Sequence, residues 1–339
     1  MDVLGSTNTP LCDNGSMSER VTIASLSRTI TAEAEAYAYF KSLRWGDSPL
    51  CAHCGGTNVY LLVPKNGVSR KTRTGANSER RVWQCRPGRK QFSVLTNTVM
   101  HGTRISVRTW LMVIFEMCAS KNGVSARELE RKYGMCPRTA WYVAHGVREA
   151  MRSEGGLLAG TIVSDETWIG GGPKNRHKAE RRQDGRKKHA TNKSPVMSLI
   201  CADTGEVRSQ VVPNVTGFTM FDVIKASVAT RRSHLQTDKG AGYQRVSWLF
   251  AEHTVVDHSA GEYVARNGGG TNLAENYFSQ LERSLDGTHH HVSREHLDRY
   301  VAEYDFRYTT RKISDAERMN LLMAHSGRRL TYAMVNAPK

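Results

Sequence analysis

Nowhere in the chain is there a run near the roughly 20 consecutive apolar residues that a bilayer-spanning helix needs, which excludes a membrane-spanning segment of that kind. The first twenty residues, MDVLGSTNTPLCDNGSMSER, lack the apolar core of a secretory signal, so the protein is expected to stay in the cytoplasm. Acid is also short. There are 32 Asp and Glu against 48 Lys and Arg, net +16, in 339 residues, which argues against a cationic partner and for a polyanion, with nucleic acid the leading candidate. Cysteine is sparse at seven residues, and a reduced compartment excludes a disulfide framework. The cysteines therefore read as metal ligands or ordinary side chains, and Cys12, Cys118, Cys136 and Cys201 belong to the second class.

A length of 339 residues allows one sizeable core plus smaller modules. Residues 1–30 read as a flexible tail, and 31–93 as a helix followed by a zinc-ribbon-like module. Residues 94–153 read as a helical region with a helix-turn-helix, and 154–312 as a catalytic domain with a basic insertion at 172–195. The C-terminal tail is expected at 313–339.

The ribbon-like module holds Cys51-Ala-His-Cys54 and, after a hairpin-like stretch, Cys85-Arg-Pro-Gly88. Tetrahedral zinc takes four soft ligands from two such knuckles. Gly88 stands where the fourth belongs, and no cysteine follows before Cys118, so a closed four-cysteine site cannot form here. Two readings stay open. Cys51, Cys54 and Cys85 bind Zn²⁺ with His53 or His101, or apolar contacts of Trp83 and Phe92 hold the ribbon without metal.

In the helical region Ser125 can cap a helix through Tyr133, Gly134 fits a turn, and Pro137 opens the next helix with Ala140, Val143, Ala144 and Val147 facing inward. Arg138, Thr139 and Tyr142 then fall near the start of a recognition helix, where DNA contacts are made. The insertion from 172 to 195 carries nine Lys and Arg against two acids. Lys174, Arg181, Arg182, Arg186, Lys187 and Lys188 in it are expected on a phosphate backbone.

The chemistry centres on Gly160-Thr-Ile-Val-Ser-Asp-Glu-Thr-Trp-Ile-Gly-Gly171, a β-rich run ending in glycines that carries Asp165. A carboxylate in a buried strand costs several kcal/mol unless a cation meets it. Val196–Ala202 and Val207–Val212 form two further strands around the turn Asp203-Thr-Gly205. Phe218–Ala229 is a helix, and Ser233–Asp238 a strand ending on an acid. Three strands, a helix and a fourth strand, with acids on the first and fourth, match a mixed α/β, ribonuclease-H-like sheet in which those two strands are neighbours. Leu273, Tyr277, Leu281 and Leu285 mark a later helix with Glu275 near its start. Three carboxylates around one point need divalent cations, and all-oxygen ligands favour Mg²⁺ or Mn²⁺, two ions in the usual phosphoryl-transfer arrangement.

Ser164-Asp-Glu-Thr-Trp-Ile-Gly-Gly171, Thr237-Asp-Lys-Gly-Ala-Gly-Tyr243, Thr271-Asn-Leu-Ala-Glu-Asn-Tyr-Phe-Ser279 and Gly287-Thr-His-His-His-Val-Ser-Arg-Glu-His-Leu-Asp-Arg-Tyr300 together resemble the ISXO-type DDE transposases of bacterial insertion sequences. The resemblance implies a metal-dependent enzyme that cuts element ends and joins them to target DNA as a homo-oligomer, with Asp165, Asp238 and Glu275 as metal ligands. Such enzymes commonly carry a lysine two helical turns after the third acid. Here Glu282 stands in that position and Arg283, next to it, is the expected DNA contact. Asn276 is the alternative to Glu275. His289, His290 and His291 are not read as a metal site, because three consecutive side chains cannot converge on one ion. Arg307 and Arg311 are candidate phosphate contacts. The alternatives to a transposase are a DNA-binding protein of the same origin whose catalytic domain has decayed, and a nuclease that cuts without joining.

Overall fold

The computed structural model describes residues 21–63, 71, 75, 78, 80–153, 155–170, 193–256, 270–324, 327 and 329–337. The first module opens with α1 (Ile23–Thr29), where the Thr22 hydroxyl accepts from the Ser25 N–H and the Ser25 hydroxyl from the Thr22 N–H. This reciprocal cap places helix inside the stretch expected as a tail. Leu26 and Ile30 anchor it, both buried. Helix α2 (Glu33–Trp45) leads to a three-stranded antiparallel sheet of β1 (Val59–Leu61), β2 (Trp83–Cys85) and β3 (Gln91–Phe92). Trp45 meets Trp83 and Phe92 edge-on, with ring centroids 6.2 and 5.8 Å away.

Three helices follow: α3 (Val107–Ala119), α4 (Ala126–Tyr133) and α5 (Pro137–Ala150). The Ser125 hydroxyl caps α4 by accepting from the Glu128 N–H, Gly134 ends the helix at φ 62°, and Pro137 opens α5. Gly134 takes the left-handed conformation that a side chain disfavours. The ribbon and these helices share one apolar core.

The second half is a five-stranded sheet in the order β6-β5-β4-β7-β8, from β4 (Leu158–Ile169), β5 (Ser194–Cys201), β6 (Val207–Val211), β7 (Val228–Asp238) and β8 (Glu252–Val256). β5 and β6 run antiparallel to their neighbours, and β4, β7 and β8 are parallel. This is the expected ribonuclease-H-like arrangement. Every residue of β5 is buried because helices cover both faces of the sheet. On one face lies α6 (Gly217–Ser227), and on the other α7 (Asn272–Ser284) and α8 (Arg294–Thr309). Gly160, at φ +101° beside a bulge in β4, lets Thr161 N–H reach the Asp203 carboxylate at 2.9 Å, and a Cβ there would lie 2.0 Å from that same oxygen.

The C-terminal stretch from 313, expected there as a tail, carries helix. It forms α9 (Asp315–Ala324) and α10 (Tyr332–Asn336). Met319, Leu322 and Met323, at helical spacing, return to the first core between the ribbon and the helices. Among the described residues no helix is long and apolar enough to cross a membrane.

Candidate active site

Asp165 lies on β4 two residues beyond Val163, which pairs with Gln236 of β7. That register has an offset of 73 residues, and the same offset carries Asp165 to Asp238, the last residue of β7. Side chains alternate across a strand, so Asp165 shares a face with Val163, which packs beneath α7 and α8. Glu275, in the first turn of α7, approaches from that side. Burial raises the Asp165 carboxyl most. The neighbouring charges of Glu166, Asp238 and Glu275 add to it against one hydrogen bond from Glu166 N–H, and the carboxyl reaches about 7. Each acid thus lies close enough to disfavour the ionised form of Asp165. The ligand oxygens of Asp165, Asp238 and Glu275 do not all lie within 4.8 Å of one another, but an all-oxygen donor set is the kind a hard divalent cation takes.

Asp238 is fixed from its own turn, where Gly240 N–H donates to its Oδ1 at 3.0 Å. Three residues on, the buried Tyr243 hydroxyl donates to Glu166 Oε2 at 2.8 Å and lies 3.1 Å from the Ser164 hydroxyl. Burial, then the Glu166 charge, holds the phenol protonated. The carboxyl of Glu166 is itself raised by burial and the charge of Asp238, against the Tyr243 bond. Sequence reading assigned no role to this pair. The alternation of β4 was the available signal, since Ser164 and Glu166 share the face opposite Asp165.

On α7, Glu282 accepts from the Thr167 hydroxyl at 3.0 Å and so lies over β4, two residues from Asp165. Arg283 turns back on its own helix, with Nε to the Ser279 carbonyl at 3.2 Å and a terminal nitrogen to the Ser279 hydroxyl at 2.7 Å. Asn276 is exposed and accepts from Gln280 at 2.6 Å. Glu275, also exposed, is the neighbour whose charge bears on Asp165.

In the ribbon, the sulfurs of Cys51, Cys54 and Cys85 all lie within 4.8 Å of one another, a grouping no other metal-binding side chains among the described residues match. Burial opposes a Cys51 thiolate, but backbone N–H groups of His53 and Cys54 and the thiols of Cys54 and Cys85 together outweigh it and lower its pKa. This donor set fits a soft ion such as Zn²⁺. Neither proposed histidine completes it. His53 Nε2 lies 3.3 Å from the Gln91 carbonyl, and His101 Nδ1 accepts from Asn97 N–H at 3.1 Å.

At the start of α5, Arg138 is exposed with its guanidinium 5.5 Å from the Tyr332 ring. Thr139 Oγ1 sits 3.1 Å from Cys136 Sγ, and the Tyr142 hydroxyl donates to the Leu330 carbonyl at 2.7 Å. The C-terminal segment thus occupies Tyr142. Arg307, expected on phosphate, is buried instead: it binds Glu303 at 2.6 Å and the carbonyls of Met117 and Ser120. Arg311 stacks on Tyr308 at 4.0 Å and donates to the Gly205 carbonyl at 3.2 Å. Lys174, Arg181, Arg182, Arg186, Lys187 and Lys188 lie outside the described residues.

Residues 157–309 match the ISXO2-like transposase domain, and residues 31–91 match the transposase zinc-ribbon domain. The chain belongs to the ISXO2-like transposases. No curated protein matches it. A chain of the simian T-cell lymphotropic virus intasome in complex with PP2A regulatory subunit B56 gamma aligns over 56% of this transposase and 67% of that chain. Its identity is 14% and its TM-score 0.26, too loose a superposition to carry an argument.

Proposed function

We propose that this transposase binds the terminal repeats of a bacterial insertion sequence and catalyses metal-dependent strand cleavage and strand transfer in the cytoplasm, as a homo-oligomer. The observation that carries the reading is the shared β4–β7 offset, which aligns Asp165 with Asp238 while the charge of Glu275 bears on Asp165. Asp165, Asp238 and Glu275 hold Mg²⁺ or Mn²⁺. A divalent cation held there would supply activation of a water or 3′-hydroxyl and stabilisation of the leaving oxygen.

The chain's own residues set the positions. Gly240 N–H orients the Asp238 carboxylate, and Tyr243 fixes the Glu166 carboxyl by a hydrogen bond at 2.8 Å. End binding falls to the helix-turn-helix, with Arg138 and Thr139 at its exposed tip, and to the basic insertion. Cys51, Cys54 and Cys85 hold Zn²⁺ in the ribbon.

A strand-transfer assay tests the reading. It uses purified protein, a labelled duplex carrying the element's terminal repeat, a supercoiled target and Mg²⁺, beside Asp238→Ala. Joined product that vanishes in the variant is expected. Cleavage without joining would assign a nuclease, and end binding without cleavage in both proteins would assign a DNA-binding protein that has lost its chemistry.

A further inference from the structure

Two of the most exposed large side chains in the described structure are aromatic and close together. Phe218 is 67% exposed at the start of α6, and Trp248, in a short 3₁₀ turn before β8, is 73% exposed. Phe221, one helical turn after Phe218, stacks on Trp248 with centroids 6.2 Å apart and planes at 29°. Each phenylalanine carries a cation. The Arg245 guanidinium lies 4.3 Å from the Phe218 ring, and the Lys225 ammonium 5.6 Å from that of Phe221.

Folding alone does not call for this arrangement, since rings of this size are favoured inside. An unpaired nucleic-acid strand does call for it. Flat ring faces stack on bases whatever their sequence, and cations beside them hold the phosphates. Residues 217–249 hold five Lys and Arg against two acids, one of which is Asp238. The patch lies on the α6 face of the sheet, opposite the face that carries Asp165, and is joined to Asp238 by the turn that follows β7. Arg245 is seven residues beyond Asp238, largely through the 3₁₀ turn Ala241–Arg245. At about 2 Å rise per residue the chain spans on the order of 15 Å between them.

We propose that Phe218, Phe221 and Trp248, with Arg245 and Lys225, form a stacking platform for an unpaired DNA strand on the α6 face of the sheet, a short turn away from the end of β7 that carries Asp238. The proposal rests on the transposase reading, because cutting a duplex end releases such a strand next to Asp238.

The test measures binding of the full-length protein to a labelled oligothymidylate and to a blunt duplex by fluorescence anisotropy, at one fixed salt concentration and with EDTA present. Phe218→Ala/Trp248→Ala is expected to lose at least about fivefold in single-strand affinity per ring removed while duplex affinity changes less than about twofold, and Trp248→Phe to retain most of the single-strand affinity. Unchanged single-strand affinity in the double variant overturns the platform. If light scattering also shows the double variant dissociating, the patch is a contact between copies of the chain. Because the assay reads binding without chemistry, a wild-type protein that fails to join strands leaves this outcome intact.

Discussion

Arg148 and Glu303 meet at 2.6 Å with both side chains buried, although 155 residues separate them in the chain. Arg148 belongs to α5 of the helix-turn-helix and Glu303 to α8 against the catalytic sheet, so one ion pair joins the two halves. Arg307 completes it on the other carboxylate oxygen at 2.6 Å. Removing one partner of such a pair strands a buried charge, at a cost of roughly 3–5 kcal/mol. Arg148→Met leaves Glu303 paired with Arg307, so it is expected to lower unfolding stability by a smaller amount, about 1.5–3 kcal/mol, in urea titrations. A change below about 1 kcal/mol would mean that the halves are joined by apolar contact alone.

Burial would raise the Glu303 carboxyl, but the charges of Arg148 and Arg307 bring it down to about 2. A carboxyl depressed in the folded state contributes stability above its ordinary range, lost as pH falls toward the folded value. Stability should therefore decline between about pH 4.5 and 2. The decline should be visibly shallower in Glu303→Gln, measured by thermal unfolding across that window.

The Asp165 carboxyl, raised to about 7, works in the opposite sense. Without metal the folded chain holds a proton that the unfolded chain has released, so this group's contribution to stability falls as pH rises from about 4 to 7. A divalent cation must displace that proton. Mg²⁺ binding at pH 6 is expected to release close to one proton, and apparent affinity to tighten as pH rises through 7. Calorimetry in buffers of differing ionisation enthalpy reads the proton, and Asp165→Asn should abolish its release.

A Cβ added at Gly88 would lie 3.7 Å from Cys85 Sγ, within ordinary contact and close to the cysteine cluster. Gly88→Cys is therefore expected to supply the missing fourth thiolate and tighten zinc binding by at least about tenfold in chelator competition. The Co²⁺-loaded variant should show the intense absorption of a tetrahedral thiolate site. Equal affinity in both proteins would mean that the wild-type chain already closes the site from elsewhere.

Glu282 places a negative charge over β4 through Thr167. Glu282→Lys reverses it where DNA is expected. If the lysine reaches a phosphate, the slope of log binding constant against log salt should steepen by about 0.9. An unchanged slope would place the DNA path away from this turn of α7.

Much of this protein was legible from local pattern. A strand, a turn or a helix cap is decided within a few residues, so Asp165 at the end of an apolar run, Ser125, Gly134 and Pro137 around the helix-turn-helix, and the four-residue repeat on α7 could all be read directly. The matched offset of Asp165 and Asp238 followed once the strand order was assumed. Tertiary packing decided what depends on contacts distant in sequence. Arg307 reads from the sequence as a phosphate contact, but Glu303, itself paired with Arg148 from α5, holds it inward, away from phosphate. Met319, Leu322 and Met323 had no visible partner in their own stretch, because the core that they fill is built from residues some two hundred positions earlier. That the charge of Glu275 reaches Asp165 was likewise tertiary. Adjacent helical positions differ by about 100° in direction, and only the seating of α7 against the sheet fixes which one comes near Asp165.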